Sequence, residues 1–394
     1  MLKGRLTTGR GLGRLALGRR VLACLIGGLA VASVTAAPAL AEAPGGNVAV
    51  IGGYELGRHG VIVNYPAHGA AALPAVPASA YVIADAGTGQ VLAAKDPHGR
   101  FDPASTLKVL TAITLMPVLN PDATVVASHQ AAVVEPSKVG LIAGRRYTVA
   151  DLFQALLLIS ANDAAISLAQ ATGSVGAGIA MMNAEAQHLR ADDTVAEQPN
   201  GLDAPGQHVS AYDEALFARQ ALKLPMFMRD DELRIARFPL RPHHTVTLYN
   251  QDTMLNDYPG DLGGKIGWTM AAGATYVGFA RRRGVTLIVT VLHCPPLTEM
   301  TYAARLLNWG FAMDGKVSPV GTLVGPQPAH RARGQRSRRP PRGPQDQMAA
   351  RPLPPGRTVP VAAGAAAVLL AALVGGSAVA VSRRRQRGEN QPDP

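Results

Sequence analysis

Three short strings in this chain carry residue types suited to acyl transfer: Ser105-Thr-Leu-Lys108, Ser160-Ala-Asn162 and Lys265-Ile-Gly267. Together they supply a nucleophilic hydroxyl, groups that can take and pass on its proton, and a cation to hold an anionic substrate. Serine chemistry with lysine rather than histidine as base needs that set of parts. Ser105 and Lys108 lie three apart on an expected helix and so share a face. Ser105 falls near the helix N-terminus, where unpaired N–H groups favour developing negative charge. A lysine serves as a base only when burial or a neighbouring cation lowers its pKa. Leu107, Val109 and Leu110 around Lys108 favour such burial.

Each string has a plainer reading. An isolated S-x-x-K is usually an N-cap followed by a surface lysine, but this one occurs once in the chain. Ser160-Ala-Asn162, also the sole S-x-N, interrupts a long apolar helical stretch and by itself reads as a capping pair. Placed near Ser105, its hydroxyl could relay a proton to a leaving amine while the Asn162 amide holds substrate or Lys108. Lys-x-Gly occurs twice. Lys138-Val-Gly140 lies in a loop beside Gly144-Arg145-Arg146 and reads as structural. Lys265 follows Gly263-Gly264 on an expected strand, where glycines permit a close approach, and is the one retained.

The elements that must position these groups follow from pattern. Ala80–Ala84 and Gln90–Ala94, joined by Gly87-Thr-Gly89, form a hairpin signature. A helix is expected from Ser105 to about Met116, and others over 152–159, 163–172, 176–189 and 211–222. Thr148 with Asp151, and Ser210 with Asp213, are capping-box patterns. Strands are expected over 245–249, 261–269, 274–281 and 285–292, and a closing helix over 297–309. Strands at both ends with helices between them predict an α+β fold, one antiparallel sheet covered by a helical cluster.

The ends of the chain carry different signals. Met1 to Arg20 holds six Lys/Arg and no acid, an apolar run spans Val21 to Val34, and Ala39-Leu-Ala41 offers a small-residue cleavage site. Residues 1–41 therefore read as a secretory signal. Residues 42–79 form an extended lead-in, 80–320 the catalytic domain, and 321–358 a Pro/Arg-rich spacer without periodicity. Residues 359–381 are uncharged and apolar or small, long enough to cross roughly 30 Å of hydrocarbon. Arg383-Arg-Arg385 follows, placing the 382–394 tail in the cytoplasm and the domain outside the cell membrane. The net charge of +11 belongs to these ends: 18 of the 38 Lys/Arg lie there, leaving 20 against 23 acids over 45–320. A basic pI thus makes no case for nucleic acid. The single cysteine of that span, Cys294, excludes an internal disulfide. The ten histidines show no metal-ligand spacing.

Over about residues 80–311 the sequence resembles the serine D-alanyl-D-alanine carboxypeptidases, the low-molecular-mass penicillin-binding proteins of peptidase family S11. The likeness extends to the flanks Pro103-Ala-Ser-Thr-Leu-Lys108, Leu158-Ile-Ser-Ala-Asn-Asp163 and Gly201-Leu-Asp203. It implies the fold of the serine β-lactamases and penicillin-binding transpeptidases. It also implies Ser105 as acylated nucleophile, Lys108 as proton acceptor, Ser160 and Asn162 as second motif, and Lys265 as carboxylate binder. The oxyanion hole would use the backbone N–H groups of Ser105 and Trp268. The implied partners are a peptidoglycan stem peptide and inhibitory β-lactams, with no cofactor. Ile266 departs from the family's usual threonine and removes a hydroxyl expected beside the substrate carboxylate. Thr269 remains nearby, so altered recognition is expected rather than loss of chemistry. The spacer and anchor stand where some relatives carry a small β domain. Two rivals remain open here: a class A-like β-lactamase using Glu197-x-x-Asn200 to activate water, and a catalytically degenerate penicillin sensor or wall-binding module.

Overall fold

The structure, a computed structural model, describes residues 50–328. The expected signal, most of the spacer, the membrane helix and the basic tail lie outside the described residues. Among the described residues no single helix is long and apolar enough to cross a membrane.

The strands are β1 (Val61–Ile62), β2 (Ala80–Asp85), β3 (Gln90–Lys95), β4 (Thr124–Val126), β5 (Arg146–Thr148), β6 (Ile235–Arg241), β7 (His244–Tyr249), β8 (Asp261–Thr269), β9 (Gly273–Arg282), β10 (Val285–Cys294) and β11 (Gly321–Thr322). The helices are α1 (Lys108–Leu115), α2 (His129–Val133), α3 (Val149–Leu158), α4 (Asn162–Gln170), α5 (Val175–His188), α6 (Ala211–Ala221), α7 (Pro225–Asp231), α8 (Met254–Asp257) and α9 (Glu299–Met313). A seven-stranded sheet runs β1-β3-β2-β10-β9-β8, with β11 also paired to β3. Every pairing in it is antiparallel.

Side chains alternate across a strand, and here the alternation sorts them into two cores. In β2, Ala80, Val82 and Ala84 pack under the helical cluster, while Tyr81 and Ile83 face the opposite core. In β10, Ile288 and Leu292 join the first core, and Leu287, Val289 and Val291 the second. The first core is completed by α1, α3, α4 and α6, the second by Leu306 and Leu307 of α9. Coverage on both faces explains why the central strands read as continuous apolar runs. The two expected helix caps form as hydrogen bonds: the Asp151 N–H donates to Thr148 Oγ1 at 3.0 Å, and the Asp213 N–H to Ser210 Oγ at 3.1 Å.

The structure adds elements the sequence reading did not expect, among them α7, β6 and α8, and it alters three of the expectations. The lead-in contains a 3-10 turn, Tyr54–Gly57, and strand β1, which pairs with β3. Thr245–Tyr249 does not join the main sheet but pairs, as β7, with β6 in a two-stranded ribbon. Pro239 interrupts the strand signature of β6, and Pro is tolerated there because the ribbon is all edge. The domain also runs past residue 320, because β11 pairs with β3.

For function, the edge matters most. β8 ends the sheet, and it packs against the 3-10 turn Ala104–Leu107 that leads into α1.

Candidate active site

Ser105 sits on that 3-10 turn, and the helix becomes regular at Lys108. Residues three apart eclipse one another in 3-10 geometry, which stacks Lys108 over Ser105. Ala104, just before, adopts φ +48°, a strained conformation for a residue with a side chain. Its surroundings hold it there. The Pro103 carbonyl accepts from Thr275 Oγ1 at 3.0 Å and from Thr106 Oγ1 at 2.7 Å. Thr106 Oγ1 also lies 2.7 Å from the Glu214 carboxyl. Thr106 has one proton, so Glu214 must donate the other bond. Burial pushes Glu214 up to about 8, which supplies that acidic proton.

Two glycines bring other segments against the turn. A methyl group on Gly267 of β8 would sit 2.6 Å from the Ser105 amide nitrogen, closer than any real side chain tolerates. Gly201, at φ +79°, lies so close to the Ala104 carbonyl that a methyl group would overlap it. The two expected oxyanion donors, the N–H groups of Ser105 and Trp268, thus belong to segments that Gly267 holds in contact.

Lys108 is fully buried. Its Nζ lies 2.7 Å from Ser105 Oγ and 2.8 Å from Asn162 Oδ1, and it also bonds the Asn200 carbonyl. Two of these partners are carbonyl oxygens and can only accept. A neutral amine gives its two N–H bonds to them and turns its lone pair to the Ser105 hydroxyl. Burial lowers the Lys108 pKa well below the ordinary lysine range, the Lys265 charge lowers it further, and Asp163 opposes.

Ser160 and Asn162 sit where α3 breaks and α4 starts. Ser160 is held at φ +60°. Asn162 Nδ2 donates to the Glu135 carbonyl at 2.9 Å, leaving its oxygen for Lys108. Asp163 accepts from the N–H groups of Val139, Gly140 and Leu141, which fastens the loop forming this side of the site. The buried Ser160 hydroxyl has no hydrogen-bond partner among the described residues. A cavity of about 1200 Å³ opens in front, lined by Ser105, Ser160, Asn162, Ile266, Trp268 and Thr269 among others.

Lys265 is buried behind this wall rather than lining it, and its Nζ donates to the Ile266 carbonyl at 2.8 Å. Burial pushes it down to about 8, against the pull of Asp231 and Asp252. The glycines preceding it accommodate side chains, not a ligand: Gly263 lies against Asp231, and Gly264 against Tyr276 and Asp252. The Thr269 hydroxyl donates to Asp203 at 2.8 Å and accepts from the Ala272 N–H. Trp268 is half exposed.

The site therefore brings Lys108 into direct contact with both Ser105 and Asn162, sets Ser160, Trp268 and Thr269 on the same cavity, and keeps Lys265 buried behind Ile266. Sequence reasoning missed the Asn200 carbonyl as a Lys108 partner. Its only signal was the dipeptide Asn200-Gly201, which marks a tight turn; Asn200 Oδ1 accepts from the Leu202 N–H to close it.

The likeness to known proteins spans most of the described residues. The family model for peptidase S11, D-alanyl-D-alanine carboxypeptidase, matches residues 67–295. The chain is 39% identical over 261 residues to the D-alanyl-D-alanine carboxypeptidase DacB2 of Mycobacterium tuberculosis, covering 65% of this chain and 89% of that protein. It is 33% identical to DacD of Salmonella typhimurium, covering 60% of this chain but only 63% of that longer relative. A solved D-alanyl-D-alanine carboxypeptidase from Mycobacterium tuberculosis superposes with a TM-score of 0.62 at 38% identity, covering 67% of this chain and 99% of that one. A Streptomyces K15 DD-transpeptidase variant superposes at 0.57 with 27% identity, covering 61% and 99%. With the family model matching more than half of its length, the chain belongs to the peptidase S11 family of D-alanyl-D-alanine carboxypeptidases.

Proposed function

We propose that this chain removes the terminal D-alanine from peptidoglycan stem peptides through an ester on Ser105. The observation that carries the reading is the Lys108 amine, tied by two carbonyls so that its remaining partner is the Ser105 hydroxyl. Ser105 Oγ attacks the carbonyl carbon between the two D-alanines while its proton passes to Lys108. The oxyanion is held by the N–H groups of Ser105 and Trp268, a type of contact worth roughly 3–4 kcal/mol. As the C–N bond breaks, the proton moves by way of Ser160 to the departing amine. Asn162 keeps Lys108 in place, Lys265 attracts the substrate carboxylate from behind Ile266, and Thr269 lies beside its path. Water then attacks the ester, releases the shortened peptide and returns the proton to Ser105. A β-lactam acylates the same oxygen, but its leaving amine stays tethered and obstructs water.

Glu197, the carboxylate a β-lactamase reading would use, is exposed and does not line the cavity. That favours slow deacylation. We further propose that a cleaved N-terminal signal exports the domain and that residues 359–381 anchor it outside the cell membrane. The test of function is D-alanine release from a D-Ala-D-Ala peptide, run beside a labelled penicillin. Release with a long-lived adduct is expected, and Ser105→Ala should abolish both. Rapid penicillin turnover would favour a lactamase, and an adduct without D-alanine release a sensor.

A further inference from the structure

Away from the cavity, the two-stranded ribbon of β6 and β7 has faces of opposite character. Ala236, Phe238 and Leu248 are buried in the first core, and Leu240 and Val246 pack against it. The alternate positions of β6 point outward: Ile235, Arg237, Pro239 and Arg241 are all exposed. Across the ladder, Ile235 pairs with the exposed Tyr249, and Arg237 with Thr247. Basic and apolar side chains therefore alternate along one surface.

A second segment extends it. The Tyr147 ring stacks on Phe238 with centroids 5.4 Å apart. Its hydroxyl donates to the Leu240 carbonyl at 3.0 Å and accepts from the Ile142 N–H at 3.0 Å. These bonds bring the exposed Ile142 to the Arg241 end of the ribbon. The Arg145 guanidinium lies 5.9 Å from the centre of the same tyrosine ring.

Surface arginines usually sit among acids, but these do not. Residues 233–249 contain three arginines, two histidines and no acid, although acids outnumber Lys/Arg over residues 45–320. Arg145, Arg237 and Arg241 form no salt bridge among the described residues. A merely solvated basic face would not need Ile142, Ile235 and Tyr249, three large apolar side chains left in water between the charges.

A soluble polyanion would be held by charge alone and gain little from those three. An anionic phospholipid surface uses both kinds of side chain: guanidinium groups meet phosphates, while aliphatic and aromatic groups enter the boundary between headgroups and acyl chains. We propose that the β6–β7 ribbon rests on an anionic phospholipid surface, with Arg145, Arg237 and Arg241 on the phosphates and Ile142, Ile235 and Tyr249 between the headgroups. Salt screens such a contact. It therefore orients a domain already held near the membrane and does not replace the anchor proposed above.

The test places a fluorophore on Thr247→Cys in the full-length chain carrying Cys24→Ser, which leaves the buried Cys294 as the sole competing thiol. A companion chain carries the label on Val61→Cys, exposed on β1 at the sheet edge opposite β8. Vesicles bearing a headgroup-depth quencher are made of phosphatidylcholine alone or with about one-third phosphatidylglycerol, at low salt. The label at 247 is expected to be quenched about threefold more by the anionic vesicles, and the label at 61 equally by both. Adding Arg237→Gln and Arg241→Gln should remove the difference at 247 while Ser105 still takes up penicillin. Equal quenching at 247 on the two vesicles, or a difference that survives the double variant, overturns the contact. A label at 247 that responds to soluble polyphosphate but not to anionic vesicles assigns the face to a soluble polymer and overturns it too. If the chain does not associate with phosphatidylcholine vesicles, the anchor proposal fails, and the label at 247 still decides the contact on the anionic ones.

Discussion

Lys108 faces three oxygens with three potential N–H bonds, so hydrogen bonding alone would keep it charged. Desolvation and the Lys265 charge act the other way, and for a group with no exposure they prevail. Arginine cannot take this role, because its guanidinium stays protonated in proteins. Lys108→Arg is expected to slow penicillin acylation by about a thousandfold or more, the scale of losing a general base; rates above a tenth of native would count against proton transfer to Lys108. The two lysines also set opposite limbs of a pH profile. Activity requires Lys108 neutral, so it rises with pH as Lys108 loses its proton. Binding the substrate carboxylate requires Lys265 charged, and burial has brought that amine down to about 8. For the peptide, kcat/KM should therefore fall as pH rises through about 8, and Lys265→Arg should move that limb to higher pH. An alkaline limb unmoved by this change would remove Lys265 from substrate binding.

At the scale of elements, a 3-10 turn, the head of α6 and the edge strand β8 meet at one point, and Thr106 with Glu214 joins the first two. Burial raises Glu214 from the unfolded value near 4.5 to about 8. The folded protein keeps this proton where the unfolded chain has lost it. The stabilisation is thus complete below about pH 4.5 and declines as pH rises toward 8. Glu214→Gln retains a donor to Thr106 without a titrating group. The variant's melting temperature should fall less than the native protein's between pH 5 and pH 8, and an identical fall in both would refute a neutral Glu214. Most elements were legible because apolar periodicity, capping boxes and glycine turns act locally. The site was legible in its side chains Ser105, Lys108 and Asn162, whose types announce chemistry. The Asn200 carbonyl was not, because every residue carries one and only folding chooses which is used. Nor could the chain reveal that Gly263 and Gly264 make room for Asp231, Asp252 and Tyr276 rather than for a ligand.

Across the described residues, the antiparallel sheet separates two cores and leaves the Ser105 cavity where its β8 edge meets the helical cluster. The short strands β1 and β11 escaped the sequence reading because two residues carry no period, and their place is fixed only by pairing with β3. The anchor proposed for residues 359–381 makes a separate prediction: a chain shortened after residue 328 should move from the membrane fraction to the soluble fraction and keep its penicillin labelling. Retention on membranes would place the anchor elsewhere. Whether Lys108 is a buried neutral amine able to take the serine proton can be read directly by following its 13Cε signal against pH in isotope-labelled protein, assigned by its loss in Lys108→Arg. Titration well below the ordinary lysine range is expected. Titration within that range would contradict a neutral Lys108.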